Sequence, residues 1–224
     1  MLLNNSGPSP YAEESLKEDQ KTFYAIGLSI ARSLAPFDLT PQELEIVKAG
    51  ITDAVSGKTP VVQLESYNIQ IQGLARVRLK AKADKVAAIN KEFFEKAANE
   101  NGAVKSLSGL ISLSLREGSG LDPGPGDTIS INYRGILPDG KEFENTFKWD
   151  APPSELKINS IMKCWREGIQ QMRAGGKAKL SCPASLAYGE NGYGNIVPPG
   201  VALAFEIELL DVKKEPQGAN HEQL

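Results

Sequence analysis

The sequence predicts an α+β protein in two parts: a run of helices, then a mainly antiparallel sheet that carries one short helix. Three observations lead there. Residues 11 to 100 hold few glycines and only three prolines, Pro36, Pro41 and Pro60, each placed where a helix can stop or start. After Asn101-Gly102 the hydrophobic pattern changes from helical spacing to alternation of apolar and polar residues. Turn signals such as "DPGPGD" and "PDG" then separate the alternating runs. With 224 residues and 41% hydrophobic content, the chain can bury a core, and its length suits one large domain or two modest ones.

The first expected helix, about 13 to 34, carries Leu16, Phe23, Ile26, Ile30 and Leu34 and stops before Pro36. The next begins at "TPQE": Thr40 can cap the first turn, Pro41 fits the first helical position, and Glu43 completes a capping box. Leu44, Val47, Ile51 and Val55 follow at helical spacing, and Gly57 with Pro60 ends the run. From about Val61 to Asn99 there is no proline and a single glycine, Gly73, among strong helix formers. One helix of about 55 Å is expected here, at about 1.5 Å per residue. It overshoots any core its short neighbours can build, so Leu64, Tyr67, Ile71 and Leu74 need another partner. A second copy of the chain is the expected one; a solvated arm held by charge pairs is the alternative. The Lys and Glu residues of the later half read as a wet face.

In the second half "GLISLSL", "TISINYRGIL" and "VALAFEIELLDV" alternate as strands do. One short helix interrupts them, "CWREGIQQM", which "RAGG" stops. The expected division is a helical domain over 11–100, including a linker helix over about 61–99, a sheet domain over 101–214, and a disordered tail over 215–224.

Composition removes several functions. Lys+Arg 25 against Asp+Glu 28, a net charge of -3, leaves no electrostatic footprint for nucleic acid. No stretch approaches the roughly 18 consecutive apolar residues of a membrane helix, and "MLLNNSGPSP" is too short and uncharged to read as a secretory signal. The one histidine, His221, lies in the polar tail, so no His/Cys cluster for a metal and no Ser-His or Cys-His pair is expected within a core. No cofactor is implied.

The second half resembles the FKBP-type peptidyl-prolyl isomerases. The resemblance runs in order through "INYRGILPDGKEFENT", "CWREGIQQMRAGGKAKL", "LAYGENGYG" and "VPPGVALAFEIELL", nearly the whole domain. The first half resembles the N-terminal dimerisation domain of the Mip-like and FkpA-like members in "YAIGLSIARSL" and "ITDAVSGKTP". The resemblance implies a five- or six-stranded antiparallel sheet wrapped around the short helix, and a V-shaped homodimer joined through the N-terminal helices. It also implies residence in the periplasm or at the outer membrane of a Gram-negative bacterium. Carried over, the family's proline pocket falls on Tyr133, Phe143, Ile161, Met162, Trp165, Tyr188, Val197 and Phe205. Trp165 would form the floor under the proline ring, the Met162 N–H would donate to a substrate carbonyl, and the Tyr188 hydroxyl would bind another. Glu144 takes the acidic position of the pocket.

Four pocket positions depart from the family. Glu144 replaces the usual aspartate, Leu156 stands where phenylalanine is common, Met162 replaces isoleucine or valine, and Tyr193 fills a loop position that is often histidine. A wider, softer pocket and weaker binding of the family's macrolide inhibitors are expected. Cys164 sits where most of the family has glycine, and the family's fold brings Cys182 in "AKLSCP" near the start of that helix. An oxidising compartment then favours a Cys164–Cys182 disulfide, with two buried thiols as the alternative. The function implied is isomerisation of X-Pro bonds in unfolded or partly folded exported proteins, with chaperone activity in the dimer cleft. The alternative is a holdase that binds proline-containing segments with little turnover.

Overall fold

The computed structural model describes residues 16–148 and 152–215. They divide into two compact units, one ending at Lys82 and the other beginning at Ala83. The division falls inside the longest helix.

The first unit contains α1 (Glu18–Leu34), α2 (Pro41–Val55) and the start of α3 (Asn68–Ala98). The first residues expected in α1, 13–15, lie outside the described residues. Glu18 and Asp19 occupy the first turn of α1, where carboxylates complement the positive end of the helix. Pro36 ends the run in a 3-10 turn over Ala35–Phe37. At α2 the expected capping box is present: the Glu43 N–H donates to Thr40 Oγ1 at 3.3 Å, and the Thr40 N–H donates to the Glu43 carboxylate at 2.8 Å. Arg78 of α3 donates to the same carboxylate at 2.9 Å and to the Phe37 carbonyl at 2.6 Å, which fastens the turn between α1 and α2 to α3. The Arg78 guanidinium, and then the Thr40 N–H, hold the Glu43 carboxyl at about 2, far below its ordinary range.

α3 begins later than its composition suggests. Val61 and Val62 lie in a bend after Pro60, Gln63 is extended, and Leu64–Tyr67 form a 3-10 turn before the α-helix starts. Two adjacent β-branched residues directly after a proline resist the first helical turn. The helix is therefore 31 residues long, about 46 Å instead of about 55 Å. No residue of α1 or α2 is buried within the chain. Phe23 is 69% exposed, and Ile26, Leu28, Ile30, Ile71 and Leu74 are exposed with it.

The second unit is a seven-stranded sheet: β1 (Val104–Lys105), β2 (Ile111–Arg116), β3 (Thr128–Ile136), β4 (Glu142–Asn145), β5 (Ser154–Lys157), β6 (Lys177–Cys182) and β7 (Leu203–Lys213). Every pairing is antiparallel, in the order β1-β2-β6-β7-β3-β4, with β5 also on β3. Seven strands replace the expected five or six because one edge is divided. β4 pairs with Arg134–Ile136, and β5 pairs with Thr128–Ile131. A turn at Thr146–Lys148 ends β4, and Pro152 and Pro153, which have no N–H to donate, precede β5.

α4 (Lys163–Ile169) packs on the sheet and buries Cys164, Trp165, Gly168 and Ile169. A Cβ on Gly168 would lie 2.4 Å from Leu180 Cδ1, so a side chain here would push the helix off β6. The core beneath it comprises Ile129, Ile131, Leu180, Leu203, Phe205, Ile207 and Leu209, all fully buried. Each such side chain contributes about 1.5–3 kcal/mol relative to exposure. At the chain's end Asp127 accepts hydrogen bonds from the Gly124 N–H (2.6 Å), the Glu215 N–H (2.9 Å) and Lys214 (3.0 Å). These donors, Gly124 first, hold its carboxyl at about 2. The fold thus holds Glu215, and the rest of the tail, 216–224, lies outside the described residues. No helix among the described residues is long and apolar enough to cross a membrane.

Candidate active site

A cleft of about 530 Å³ opens beside the N-terminus of α4, lined by Tyr133, Phe143, Glu144, Leu156, Ile161, Met162, Trp165, Tyr188, Tyr193 and Ile196. Five separate pieces of chain supply these residues. Tyr133 comes from β3, Phe143 and Glu144 from β4, Leu156 from β5, and Ile161 and Met162 from the turn into α4. Trp165 comes from the first turn of α4, and Tyr188, Tyr193 and Ile196 from the connection between β6 and β7.

The floor is a set of perpendicular rings. Trp165, only 5% exposed, meets Tyr133 edge to face at 4.6 Å and Phe205 at 5.2 Å. Phe205 meets Phe143 at 6.0 Å and 81°. Each such pair contributes about 0.5–1.5 kcal/mol beyond burial and fixes the rings' orientation. Gly135 makes room for this arrangement, because a Cβ there would sit 2.4 Å from Phe143 Cζ. On the outer side Tyr193 stacks on Tyr188 at 5.1 Å and 21°.

Polar groups are few. The Tyr133 hydroxyl donates to Glu144 Oε1 at 2.6 Å, so the carboxylate is engaged even with its extra methylene. Burial first, and then this hydrogen bond to a negative group, push the Tyr133 hydroxyl well above the ordinary tyrosine range. Burial and the nearby Glu144 charge raise Tyr188 as well. Both phenols stay protonated, as donors, across the physiological range. Among the described hydrogen bonds none uses the Tyr188 hydroxyl or the Met162 N–H. Met162 is the N-cap of α4, in extended backbone (φ -57, ψ 150), and its carbonyl accepts from the Arg166 N–H at 3.0 Å.

Of the positions expected at the pocket, Val197 and Phe205 do not reach the cleft surface. Each is 1% exposed and packs behind it, Phe205 against the backs of Trp165 and Phe143. Ile196, 48% exposed, lines the cleft but carries no periodic or motif signal in its "GNIVPPG" loop. The disulfide is present: Cys164 and Cys182 are bonded, with Cα atoms 5.8 Å apart, and join the start of α4 to the end of β6. A second cavity of about 310 Å³, beyond the far end of α4, has Arg116, Arg173 and Lys177 on its walls and no aromatic side chain.

Aromatic walls with a few fixed donors suit a reaction in which no bond is cut, and the class so defined is a peptidyl-prolyl isomerase built on an FKBP sheet. Comparison with known proteins agrees over both parts of the chain. Residues 120–210 match the family described as FKBP-type peptidyl-prolyl cis-trans isomerase, and residues 19–111 match the domain amino terminal to it. The FKBP-type peptidyl-prolyl cis-trans isomerase FkpA of Escherichia coli (strain K12) is 35% identical over 213 residues, 89% of this chain and 78% of that protein. The crystal structure of FkpA from Escherichia coli superposes with a TM-score of 0.64 at 32% identity, covering 89% of this chain and 99% of that one. The outer membrane protein MIP of Legionella longbeachae is 28% identical over 210 residues, 89% of this chain and 88% of that protein. The chain belongs to the FKBP-type peptidyl-prolyl cis-trans isomerase family and is an isomerase of that type.

Proposed function

We propose that the cleft at the N-terminus of α4 is the isomerase site, and that it acts on X-Pro bonds of unfolded or partly folded exported proteins in the periplasm or at the outer membrane. The observation that carries this reading is the Trp165 floor in a cleft shared with two donors that no hydrogen bond among the described residues engages, the Tyr188 hydroxyl and the Met162 N–H. Rotation about X-Pro is slow because it breaks amide resonance, with a barrier of about 18–20 kcal/mol for a peptide bond. The twisted amide has lost resonance and much of its charge separation. It therefore loses less than the planar ground state on leaving water for an aromatic cleft.

In this reading the proline ring rests on Trp165 against Tyr133 and Phe143. The Met162 N–H holds the carbonyl beyond the proline, and Tyr188 holds another, so that the backbone is kept turned. Glu144 orients Tyr133 and takes no proton from substrate. Leu156, Ile161, Tyr193 and Ile196 form the walls, with Val197 and Phe205 packed behind them. Lowering the barrier by about 4 kcal/mol already gives roughly a thousandfold acceleration.

The exposed apolar faces of α1 and α3 support a homodimer through the N-terminal helices, and a chaperone activity carried by that dimer. The relative in Legionella longbeachae, named an outer membrane protein, supports the proposed location.

Trp165→Ala should lower kcat/KM at least about tenfold, since it removes both floor and stacking. Tyr188→Phe should lower it about three- to tenfold, as expected for one hydrogen bond. A protease-free isomerisation assay on a proline tetrapeptide measures both. Wild-type rates in both variants would remove the cleft as the site. No acceleration by the wild-type protein would leave a holdase that binds proline segments without turning them over.

A further inference from the structure

The wall of the cleft formed by Tyr188, Tyr193 and Ile196 belongs to one loop, and that loop is closed at its base by a residue from a distant helix. Within the loop Tyr193 and Val197 exchange both backbone hydrogen bonds, at 2.9 and 3.1 Å. At its base the Gly200 N–H donates to the Gly189 carbonyl at 3.0 Å, directly after Tyr188. Asn90 of α3 then grips the outgoing strand of chain with both ends of its amide. Its Nδ2 donates to the Gly200 carbonyl at 2.8 Å, and its Oδ1 accepts from the Ala202 N–H at 2.8 Å.

The two contacts fix the amide's orientation, since one partner can only accept and the other can only donate. They also satisfy two backbone groups that no strand ladder uses, immediately before β7 begins at Leu203. Asparagine is a poor helix former, and here it stands in the middle of a 31-residue helix. Its side chain answers to the loop. Val86, one turn earlier on α3, packs on the same place, because a Cβ built on Gly200 would lie 3.6 Å from Val86 Cγ1.

We infer that Asn90 is a positioning residue for isomerisation: its amide locks Gly200 and Ala202, and through Gly189 and the Tyr193–Val197 pair it holds the Tyr188–Ile196 wall against the Trp165 floor. The inference rests on the cleft being the isomerase site. It assigns a role in the reaction to α3, a helix that contributes no side chain to the cleft. Loosening the wall costs substrate contacts before it costs the floor, so the effect falls on KM more than on kcat.

The test uses two substitutions in the full chain. Asn90→Ala removes both contacts and should lower kcat/KM about five- to tenfold, mainly through a raised KM. Asn90→Asp gives a readout that a merely structural role would not move. A protonated carboxyl has the asparagine's shape and pattern: its O–H donates to Gly200, and its carbonyl oxygen accepts from Ala202. Once ionised it has no donor and faces the Gly200 carbonyl.

The groups facing it settle the direction. Val86, Ala87, Phe93 and Phe94, one turn to either side on α3, are uncharged. On the loop the Glu190 carboxylate lies against Gly200, with Oε2 3.4 Å from where a Cβ would stand. That negative charge disfavours ionisation, so the new carboxyl titrates above the ordinary value of about 3.9. Relative to wild type, Asn90→Asp should therefore match kcat/KM near pH ~4 and fall about fivefold by pH ~8, reversibly and with unchanged far-ultraviolet circular dichroism.

A pH-independent ratio for Asn90→Asp, or wild-type KM in Asn90→Ala, overturns the positioning role. The Trp165→Ala control separates that failure from failure of the site itself. If Trp165→Ala is active and the Asn90 variants are not, the site is misplaced; if Trp165→Ala is inactive and the Asn90 variants are wild type, the site stands and the positioning role falls.

Discussion

At the scale of single residues, Tyr133 and Glu144 show how a carboxylate can serve an apolar cleft without disturbing it. The hydroxyl donates to Glu144 at 2.6 Å, which occupies the charge with a neighbour inside the wall and leaves Tyr188 as the freer phenol. The neutral Tyr133 is favoured by burial and by that charge, so its ionisation is displaced upward. Its contribution to stability is complete below about pH 10 and is lost only as the pH rises through the displaced value. Glu144→Gln removes the charge and keeps the shape. Tyrosinate absorbance in that variant should therefore begin to rise at lower pH than in wild type, by one ionising group, with burial still holding part of the displacement. Superimposable titration curves would show that Glu144 does not govern Tyr133. Residues of this kind were legible because the family's pocket is written in side-chain types. Ile196 was not, since an exposed aliphatic residue in a loop differs in nothing from an ordinary surface residue until the fold turns it toward Tyr193.

At the scale of elements, α4 is seven residues long and is held to β6 near both of its ends. Gly168 lets it approach Leu180, and the disulfide fixes its first turn to the end of β6, one residue from Trp165. Cys164 and Cys182 are 18 residues apart and both fully buried. Closing a loop of that size stabilises by about 3 kcal/mol in the chain-entropy model. Reduced protein, compared with oxidised protein in urea unfolding, should lose roughly that amount; equal unfolding midpoints would mean that packing alone seats the helix. Local chemistry made some elements readable in the sequence. The Thr40 capping box and Pro41 act at the start of α2 and Gly57 just past its end, each within a single turn of chain, and the structure has them as expected. Where distant chain decides, the sequence was silent. The division of one sheet edge into β4 and β5 depends on both segments finding β3. Asn90 is the sharpest case, because its partners lie more than a hundred residues away. The start of α3 at Asn68, not Val61, is by contrast a local effect that the long run of helix formers masked, since Val61 and Val62 directly after Pro60 resist the first helical turn.

At the scale of the whole molecule, the two units keep their apolar residues differently. The sheet unit buries its own in one core around Phe205, Ile207 and Leu209. The helical unit does not: on α1 Phe23, Tyr24, Ile26, Leu28 and Ile30 are all exposed, on more than one face of the helix. A helix apolar on several sides needs cover on several sides, and solvent offers none. The proposed second copy would supply this cover with no further partner, and would place the association surface in a unit that supplies no lining residue to the cleft. The wild-type protein should sediment at twice 24.2 kDa. Phe23→Asp combined with Ile26→Asp puts charges where the copies would meet, at about 2 kcal/mol or more for each buried side chain replaced. That variant should sediment as a monomer and isomerise a short proline peptide at the wild-type rate, because its cleft is intact. Under the chaperone role proposed for the dimer, it should also delay aggregation of an unfolded protein less than wild type does. A wild-type protein that sediments at the single-chain mass would remove the dimer. A dimeric double variant would move the association surface away from α1.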